Sequence, residues 1–407
     1  MIEIIERTNY LDKLKALQNK SVIKVVTGVR RCGKSVLLES FQKWLISNGI
    51  KKNNIISINF EDYEYKDLRE PDNLYKYIKQ RLKKDMTYIF LDEIQLVKNF
   101  PEVVDSLFIK KNTDIYITGS NANLLSSEIA TLLSGRYIEI SMLPLSFKEF
   151  YNYHKKEQSL QKRYNEYITN GSFPYTLAFN GRKAEIKDYL EGIFNTIVVK
   201  DIAQRANIND FMMLESVVRF IFDNIGNPVS SKRIADTMTS SGRKIDQKTV
   251  EKYLKALLDS FVFYKADRFD VKGMQLLKTL NKYYAVDLGL RSMLLGEKGI
   301  DVGHILENIV FLELKRRGFK VYVGKVGNLE VDFVAESSEG LSYYQVASTV
   351  RDNSVLKREL TPMQMIHDHY PKTLLTLDDD PPSEYNGIRK RNALDWLVGK
   401  LELRIEN

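Results

Sequence analysis

The sequence predicts an α/β protein built on a parallel sheet with helices on both faces. Two observations carry this. Short β-branched runs alternate with longer amphipathic stretches through the first 150 residues, and a glycine-rich loop joins the first run to the first long stretch. A third observation extends it. After a mostly helical middle, the alternation returns beyond Asp287.

The first run, residues 22–27, is β-branched except at Lys24, and residues 54–60, 88–91, 114–118 and 137–141 follow it. Short apolar runs bounded by turn residues read as strands, and amphipathic stretches such as residues 35–48 read as helices. From about Phe147 to about Ala206 the chain is helical and rich in aromatic residues. A compact helical region follows and ends in two strand-like runs, 262–267 and 275–279. Beyond Asp287 the order is helix, three strands (320–323, 330–335 and 342–347), helix, and a strand at 373–376. No linker, repeat or low-complexity tract interrupts the chain, so boundaries rest on changes of pattern. The expected domains are residues 1–146, 147–206, 207–286 and 287–407.

Composition excludes several classes. The 407 residues are 43% hydrophobic and 28% charged, as in a soluble globular protein, and hold a single cysteine, which rules out disulfide scaffolding. There is no stretch of about 18 apolar residues to span a membrane, and the N-terminus lacks the apolar core of a signal peptide. The cytoplasm is the expected compartment. The net charge of +8 is a weak pointer to a polyanionic partner.

The strongest motif is Gly28-Val-Arg-Arg-Cys-Gly33-Lys34-Ser35, which matches G-x-x-x-x-G-K-[ST] after a strand and before a helix. The glycines let the backbone curl so that successive N–H groups face phosphate oxygens, and the helix adds its positive N-terminal end. Gly28, Arg31, Gly33, Lys34, Ser35 and Val36 are the expected nucleotide contacts, with Lys34 reaching the phosphates and Ser35 holding Mg²⁺. A second element supports ATP and Mg²⁺ as the ligands. Residues 88–91 run into Asp92 and Glu93, acids at the edge of a strand where ligands bind in such sheets. Asp92 is the expected Mg²⁺ partner, and Glu93 the base that orients and deprotonates the attacking water. Ser120 and Asn121, after the fourth strand, either position that water or form a turn. Arg136 is either an arginine finger given to a neighbouring subunit or a surface residue.

These runs carry a resemblance. Thr-Gly-Val-Arg-Arg-Cys-Gly-Lys-Ser, Phe-Leu-Asp-Glu-Ile-Gln, Ile-Thr-Gly-Ser-Asn and Leu-Pro-Leu-Ser-Phe-Lys-Glu-Phe occur in this order. Gly-Ser-Phe-Pro, Tyr-Tyr-Ala-Val-Asp-Leu-Gly-Leu-Arg and Leu-Glu-Asn-Ile-Val-Phe follow downstream. The set resembles prokaryotic AAA+-type ATPases that join a P-loop core to a C-terminal domain of unknown function. It implies nucleotide-driven work, with Asp92, Glu93 and Arg136 in the roles given above. The lid, residues 147–206, is expected to be helical.

In the middle, residues 230–238 read as a short serine-capped helix, and Asp246 caps a longer one over 247–261 with an apolar i, i+3, i+4, i+7 stripe. The two strand-like runs after it, joined through residues 270–273, would form a wing. This is a winged-helix order. The expected DNA contacts are Lys232, Arg233, Arg243, Lys244, Lys248, Lys252, Arg268 and Lys272, which suit phosphates rather than base edges. The alternative is a helical module packed between subunits.

The C-terminal order looks like a restriction-endonuclease-like core, with Glu307 on a helix and Asp332 on a strand. The third element, normally acid, any residue and lysine, reads Gln345-Val346-Ala347. The lysine is missing from it and an amide replaces an acid, so the site is degenerate and cleavage is not expected. A retained DNA- or partner-binding fold is the expectation; otherwise Asp332 is the buried partner of some basic group. Three functions compete: a ring-shaped, hexameric ATPase that remodels DNA, branched or junction DNA included, an ATP-driven protein-binding switch in signalling or defence, and an ATP-gated nuclease.

Overall fold

The computed structural model describes residues 5–125, 135–154, 159–204, 206–296 and 301–400. The chain divides into two compact units, one of Met1–Pro144 with Asp259–Phe261, the other of Leu145–Leu258 and Val262–Asn407.

In the first unit the elements are α1 (Thr8–Leu17), β1 (Ile23–Thr27), α2 (Lys34–Ser47), β2 (Ile55–Asn59), α3 (Pro71–Lys79), β3 (Thr87–Asp92), α4 (Phe100–Phe108), β4 (Thr113–Gly119) and β5 (Tyr137–Ser141). The strands form a parallel sheet in the order β2-β3-β4-β1-β5. Central strands β1 and β3 are buried along their whole length, as continuous apolar runs require, whereas edge strand β2 alternates, with Ser57 and Asn59 outward. Alternation sends Ile89 and Leu91 to one face, against Leu74 and Ile78 of α3 and Val104 and Leu107 of α4. Phe90 goes to the other face, where its ring stacks on Tyr116 at 4.8 Å and meets Phe41 of α2. Lys24 stands in a fully buried strand because Asp114 neutralises it, and that carboxylate also accepts from the Tyr116 hydroxyl at 2.8 Å.

The second unit starts with α5 (Phe147–Tyr153), α6 (Leu160–Asn170), α7 (Lys183–Thr196) and a π-helical turn, Ile197–Gln204. Next come α8 (Phe211–Asp223), β6 (Pro228–Val229), α9 (Ser231–Ser240), α10 (Gln247–Asp259), β7 (Phe263–Asp270) and β8 (Gln275–Ala285). It ends with α11 (Leu288–Leu295), α12 (Val302–Arg316), β9 (Lys320–Val326), β10 (Leu329–Ser337), β11 (Gly340–Ala347), α13 (Asn353–Gln364), β12 (Lys372–Thr376), β13 (Ser383–Tyr385), β14 (Ile388–Asn392) and α14 (Ala393–Val398). The caps act locally as the sequence implies. Ser146 and Glu149 form a capping box on α5, Ser230 caps α9, and Asp246 accepts from the Thr249 N–H of α10.

The hairpin is longer than its apolar runs. Polar Lys282 interrupts β8, and its ammonium is neutralised by carboxylates from α12 and β10. The expected boundary at residues 286/287 is also crossed. β7 pairs in parallel with β9, so the order β13-β14-β12-β11-β10-β9-β7-β8-β6 is a single nine-stranded sheet. An open hairpin edge would offer unpaired N–H and C=O groups, and β9 covers it.

Gly171-Ser172 and Asp287-Leu288-Gly289 lie far apart in sequence and meet in the fold. The buried Asp287 carboxylate accepts from the Ser172 N–H at 2.5 Å and hydroxyl at 2.7 Å, and from the Leu290 N–H at 2.9 Å. A Cβ at Gly171 would stand 2.7 Å from that carboxylate, which is why glycine is needed there.

Candidate functional site

The loop between β1 and α2 takes the shape that its glycines permit. Gly28 has φ +150°, and a Cβ there would collide with the carbonyl oxygen of Met142. Gly33, with φ +105°, leads into α2. The Arg7 guanidinium fastens the loop from outside, donating to the Cys32 carbonyl at 3.1 Å and to the Leu143 carbonyl at 2.7 Å. Lys34 is buried, its Nζ donating to the Gly28 and Val29 carbonyls at 3.1 and 3.3 Å and standing 3.5 Å from Glu93 Oε1. Arg31 and Val36 are exposed, while Arg30 pairs with Glu61 at 2.6 Å.

The acids stand at the C-terminal edge of the same sheet. Asp92 ends β3, and Glu93 turns away with φ +53°, a left-handed conformation that needs support. Thr118, at the end of β4, provides it: its Oγ1 accepts from the Glu93 N–H at 2.9 Å and donates to Asp92. Ser35 hydrogen-bonds Asp92 as well. Burial raises the Asp92 pKa, with the Ser35 and Thr118 hydrogen bonds opposing it. Burial also acts against the charge of Glu93, but Lys34, with help from Gln95, Arg30 and Ser120, holds its pKa below the usual carboxylate value. Ser120 Oγ lies 3.1 Å from Glu93 Oε2 and Asn121 is buried next in the chain.

Lys34, Ser35, Asp92 and Glu93, expected together from the sequence, therefore converge, and Ser120, for which a turn is the alternative, joins them. Arg7, Gln95 and Thr118 support the site with no motif in the sequence to signal them. Arg136 is not brought to this edge. It precedes β5, whose Tyr137 is in register with Ile23, so it lies at the opposite end of β1, roughly 15 Å away at the rise of a strand. There it pairs with Asp105 of α4.

The groups fit a magnesium–nucleotide: a curled loop with no room for a side chain at Gly28, a lysine held by two carbonyls and a carboxylate, and Asp92 bonded to the Ser35 hydroxyl.

Among the expected DNA contacts, Lys232 and Arg233 are exposed on α9, where with Asp236 and nearby hydroxyls they line an open hollow of about 480 Å³. Lys248 and Lys252 are exposed on α10, with Lys252 Nζ 3.2 Å from the Asn207 carbonyl. Lys244 and Lys272 are exposed, and Arg268 is half-buried. Arg243 is committed elsewhere, donating to the Met212 carbonyl at 2.9 Å and the Ser216 hydroxyl at 2.5 Å, both on α8.

The C-terminal acids meet around a lysine absent from the expected element. Lys282, 4% exposed on β8, places Nζ 3.0 Å from Glu307 Oε1, 2.8 Å from Glu330 Oε1 and 3.9 Å from Asp332 Oδ1. Tyr284 donates to Glu307 at 2.6 Å. Burial alone would lower the Lys282 pKa, but the carboxylates outweigh it and hold the pKa above the ordinary lysine value. Burial pushes Asp332 well up, and Glu307 adds to this. Gln345 accepts from the Asp332 N–H at 3.3 Å and donates to Glu359 at 2.8 Å. No motif around Lys282 signals this arrangement, since its partners lie 25 to 50 positions ahead.

A five-stranded parallel sheet with this loop and acid pair defines a P-loop ATPase of the AAA type. Residues 20–151 match the AAA domain family and residues 161–301 match a domain of unknown function, DUF8612. The chain is 41% identical over 400 residues to an uncharacterized protein of Haemophilus influenzae, covering 97% of this chain and 99% of that one. It is 32% identical to an uncharacterized protein of Methanocaldococcus jannaschii, covering 93% of this chain and 88% of the other. It belongs to the family these two proteins represent. The Walker-type ATPase of Pyrococcus abyssi has a similar fold, with a TM-score of 0.52 at 16% identity over 72% of this chain and 96% of that one.

Proposed function

We propose that this AAA-type ATPase hydrolyses ATP with Mg²⁺, works as a ring of identical chains, and acts on DNA in the cytoplasm. The observation that carries the hydrolytic part is the convergence of Lys34, Ser35, Asp92 and Glu93 at one sheet edge, with Glu93 oriented through the Thr118 hydroxyl. Lys34 and the loop N–H groups hold the phosphates, and Ser35 and Asp92 hold the metal. Mg²⁺, when bound, neutralises charge on the phosphate oxygens. Glu93, kept ionised beside Lys34, accepts the proton of the attacking water, which Ser120 and Asn121 help to orient.

Arg136 lies at the far end of the sheet from its own chain's phosphate loop. That placement supports a role at a neighbour's site and hence a ring, most simply a hexamer. The DNA reading is supported by the order α8-β6-α9-α10-β7-β8, with β6 and β7 both paired to β8, and by exposed Lys232, Arg233, Lys244, Lys248, Lys252 and Lys272 around it. Contacts of that kind read phosphates and shape, which suits branched DNA. No helix among the described residues is long and apolar enough to cross a membrane.

The test is ATP turnover with and without duplex, single-stranded and junction DNA at two salt concentrations. Lys34→Ala should abolish turnover. DNA should stimulate the native chain in a salt-sensitive way. Turnover that survives Lys34→Ala would refute the assigned site, and turnover and binding indifferent to DNA and salt would refute the DNA reading.

A further inference from the structure

We propose that Lys282 is a built-in substitute for a divalent ion, its ammonium filling the place that the carboxylates of Glu307, Glu330 and Asp332 would otherwise offer to a metal. The nuclease-like order read from the sequence implies an ion held by Glu307, Asp332 and Gln345, and the residues present do not fit one. Each of these groups already has an oxygen committed. Glu307 Oε1 takes the ammonium at 3.0 Å and the Tyr284 hydroxyl at 2.6 Å. Glu330 Oε1 takes the ammonium at 2.8 Å. Asp332 Oδ2 accepts from the Val346 N–H at 2.8 Å, and the Gln345 oxygen accepts from the Asp332 N–H at 3.3 Å. Glu359, the next acid inward, holds the Gln345 amide at 2.8 Å and Arg358 at 2.7 Å. Among the described residues, no group of three or more His, Cys, Asp or Glu is arranged for a metal ion.

A divalent ion entering here would sit against a buried ammonium, like charge against like, with little water to screen them. Lys282 comes from β8, outside the strand–helix order of the acids, and so ties the hairpin to α12 and β10 as a metal would. The ammonium supplies one positive charge where a divalent ion would supply two, and it withholds metal-dependent cleavage.

The test uses the full-length, metal-stripped, nucleotide-free chain, titrated with Mn²⁺ to about 1 mM, the weak end of protein divalent sites, with free ion read by electron paramagnetic resonance. The native chain should bind no Mn²⁺ that Asp332→Asn removes. Lys282→Met should bind one additional Mn²⁺ per chain, lost again in Lys282→Met/Asp332→Asn, and Mn²⁺ should restore part of its lowered thermal transition. Lys282→Arg, which returns a cation, should stay blind to Mn²⁺. If Lys282→Met does not fold, Lys282→Met/Glu330→Gln removes one charge of each sign and serves for the same measurement. The proposal is overturned by a native Mn²⁺ site that Asp332→Asn abolishes, by metal-dependent DNA nicking lost in that variant, or by a folded Lys282→Met chain with no additional Mn²⁺. ATP turnover is not read, so the outcome is independent of the hydrolytic site.

Discussion

Replacing Thr118 by valine keeps the shape of a fully buried side chain and removes one oxygen. That oxygen accepts from the Glu93 N–H at 2.9 Å and donates to Asp92. An unpaired buried N–H costs about 1–3 kcal/mol, and losing a hydrogen bond to a charged group about 1.5–3 kcal/mol. The added methyl contributes about 1 kcal/mol in return. The net loss is about 1.5–5 kcal/mol. At about 2–4 °C per kcal/mol for a unit of this size, the first unit's transition should fall by roughly 3–20 °C in scanning calorimetry. The functional consequence follows from Asp92, whose pKa is already raised by burial and would rise further with one donor gone. Protons then compete with Mg²⁺ from a higher pH downward, so the Mg²⁺ needed for half-maximal turnover should increase more at low pH than at high. The stability deficit has the opposite trend. It is full where Asp92 is ionised and shrinks as pH falls through the raised pKa, because a protonated carboxyl no longer depends on the donor. A transition lowered by less than about 2 °C, the least that 1 kcal/mol produces here, with an unchanged Mg²⁺ requirement would refute the bridging role.

Four further outcomes are expected. Glu93→Gln removes the proton acceptor and leaves the loop intact, so nucleotide binding should persist while turnover falls about 10²–10⁴-fold, checked by titration and steady-state assay. Arg243→Ala should lower thermal stability by about 1–2 kcal/mol through its lost bonds to α8 and leave the salt dependence of DNA binding unchanged. Lys248→Ala, by contrast, should reduce that salt slope by about 1. Asp287→Ala strands the Ser172 N–H and hydroxyl and the Leu290 N–H, and should destabilise the second unit by about 3 kcal/mol or more in denaturant unfolding, with Asp287→Asn milder.

Much of the nucleotide site was legible because its geometry is local. Gly28 and Gly33 hold backbone angles that favour glycine, Lys34 and Ser35 follow in the same turn, and Asp92 and Glu93 end an apolar run. The strands were legible for a similar reason, since the buried runs of β1 and β3 have few polar interruptions. Where polar residues interrupt a strand, as Lys282 does in β8, the run was read short. The caps Ser146, Ser230 and Asp246 act within four residues and were read or are readable from the sequence.

The sequence by itself determined the parallel α/β core, the phosphate loop and the acid pair, because each depends on neighbours along the chain. Tertiary structure alone decided which distant groups support them. Thr118 reaches Glu93 across 25 positions, Arg7 holds a carbonyl 136 positions away, and Asp287 meets Ser172 across 115. It also decided that the acids beyond Asp287 surround an ammonium from the hairpin, which no spacing within the acids' own segment signals. The physical reason is the same each time. A buried polar group must find a partner, and the fold, not the spacing, chooses which one comes within 3 Å.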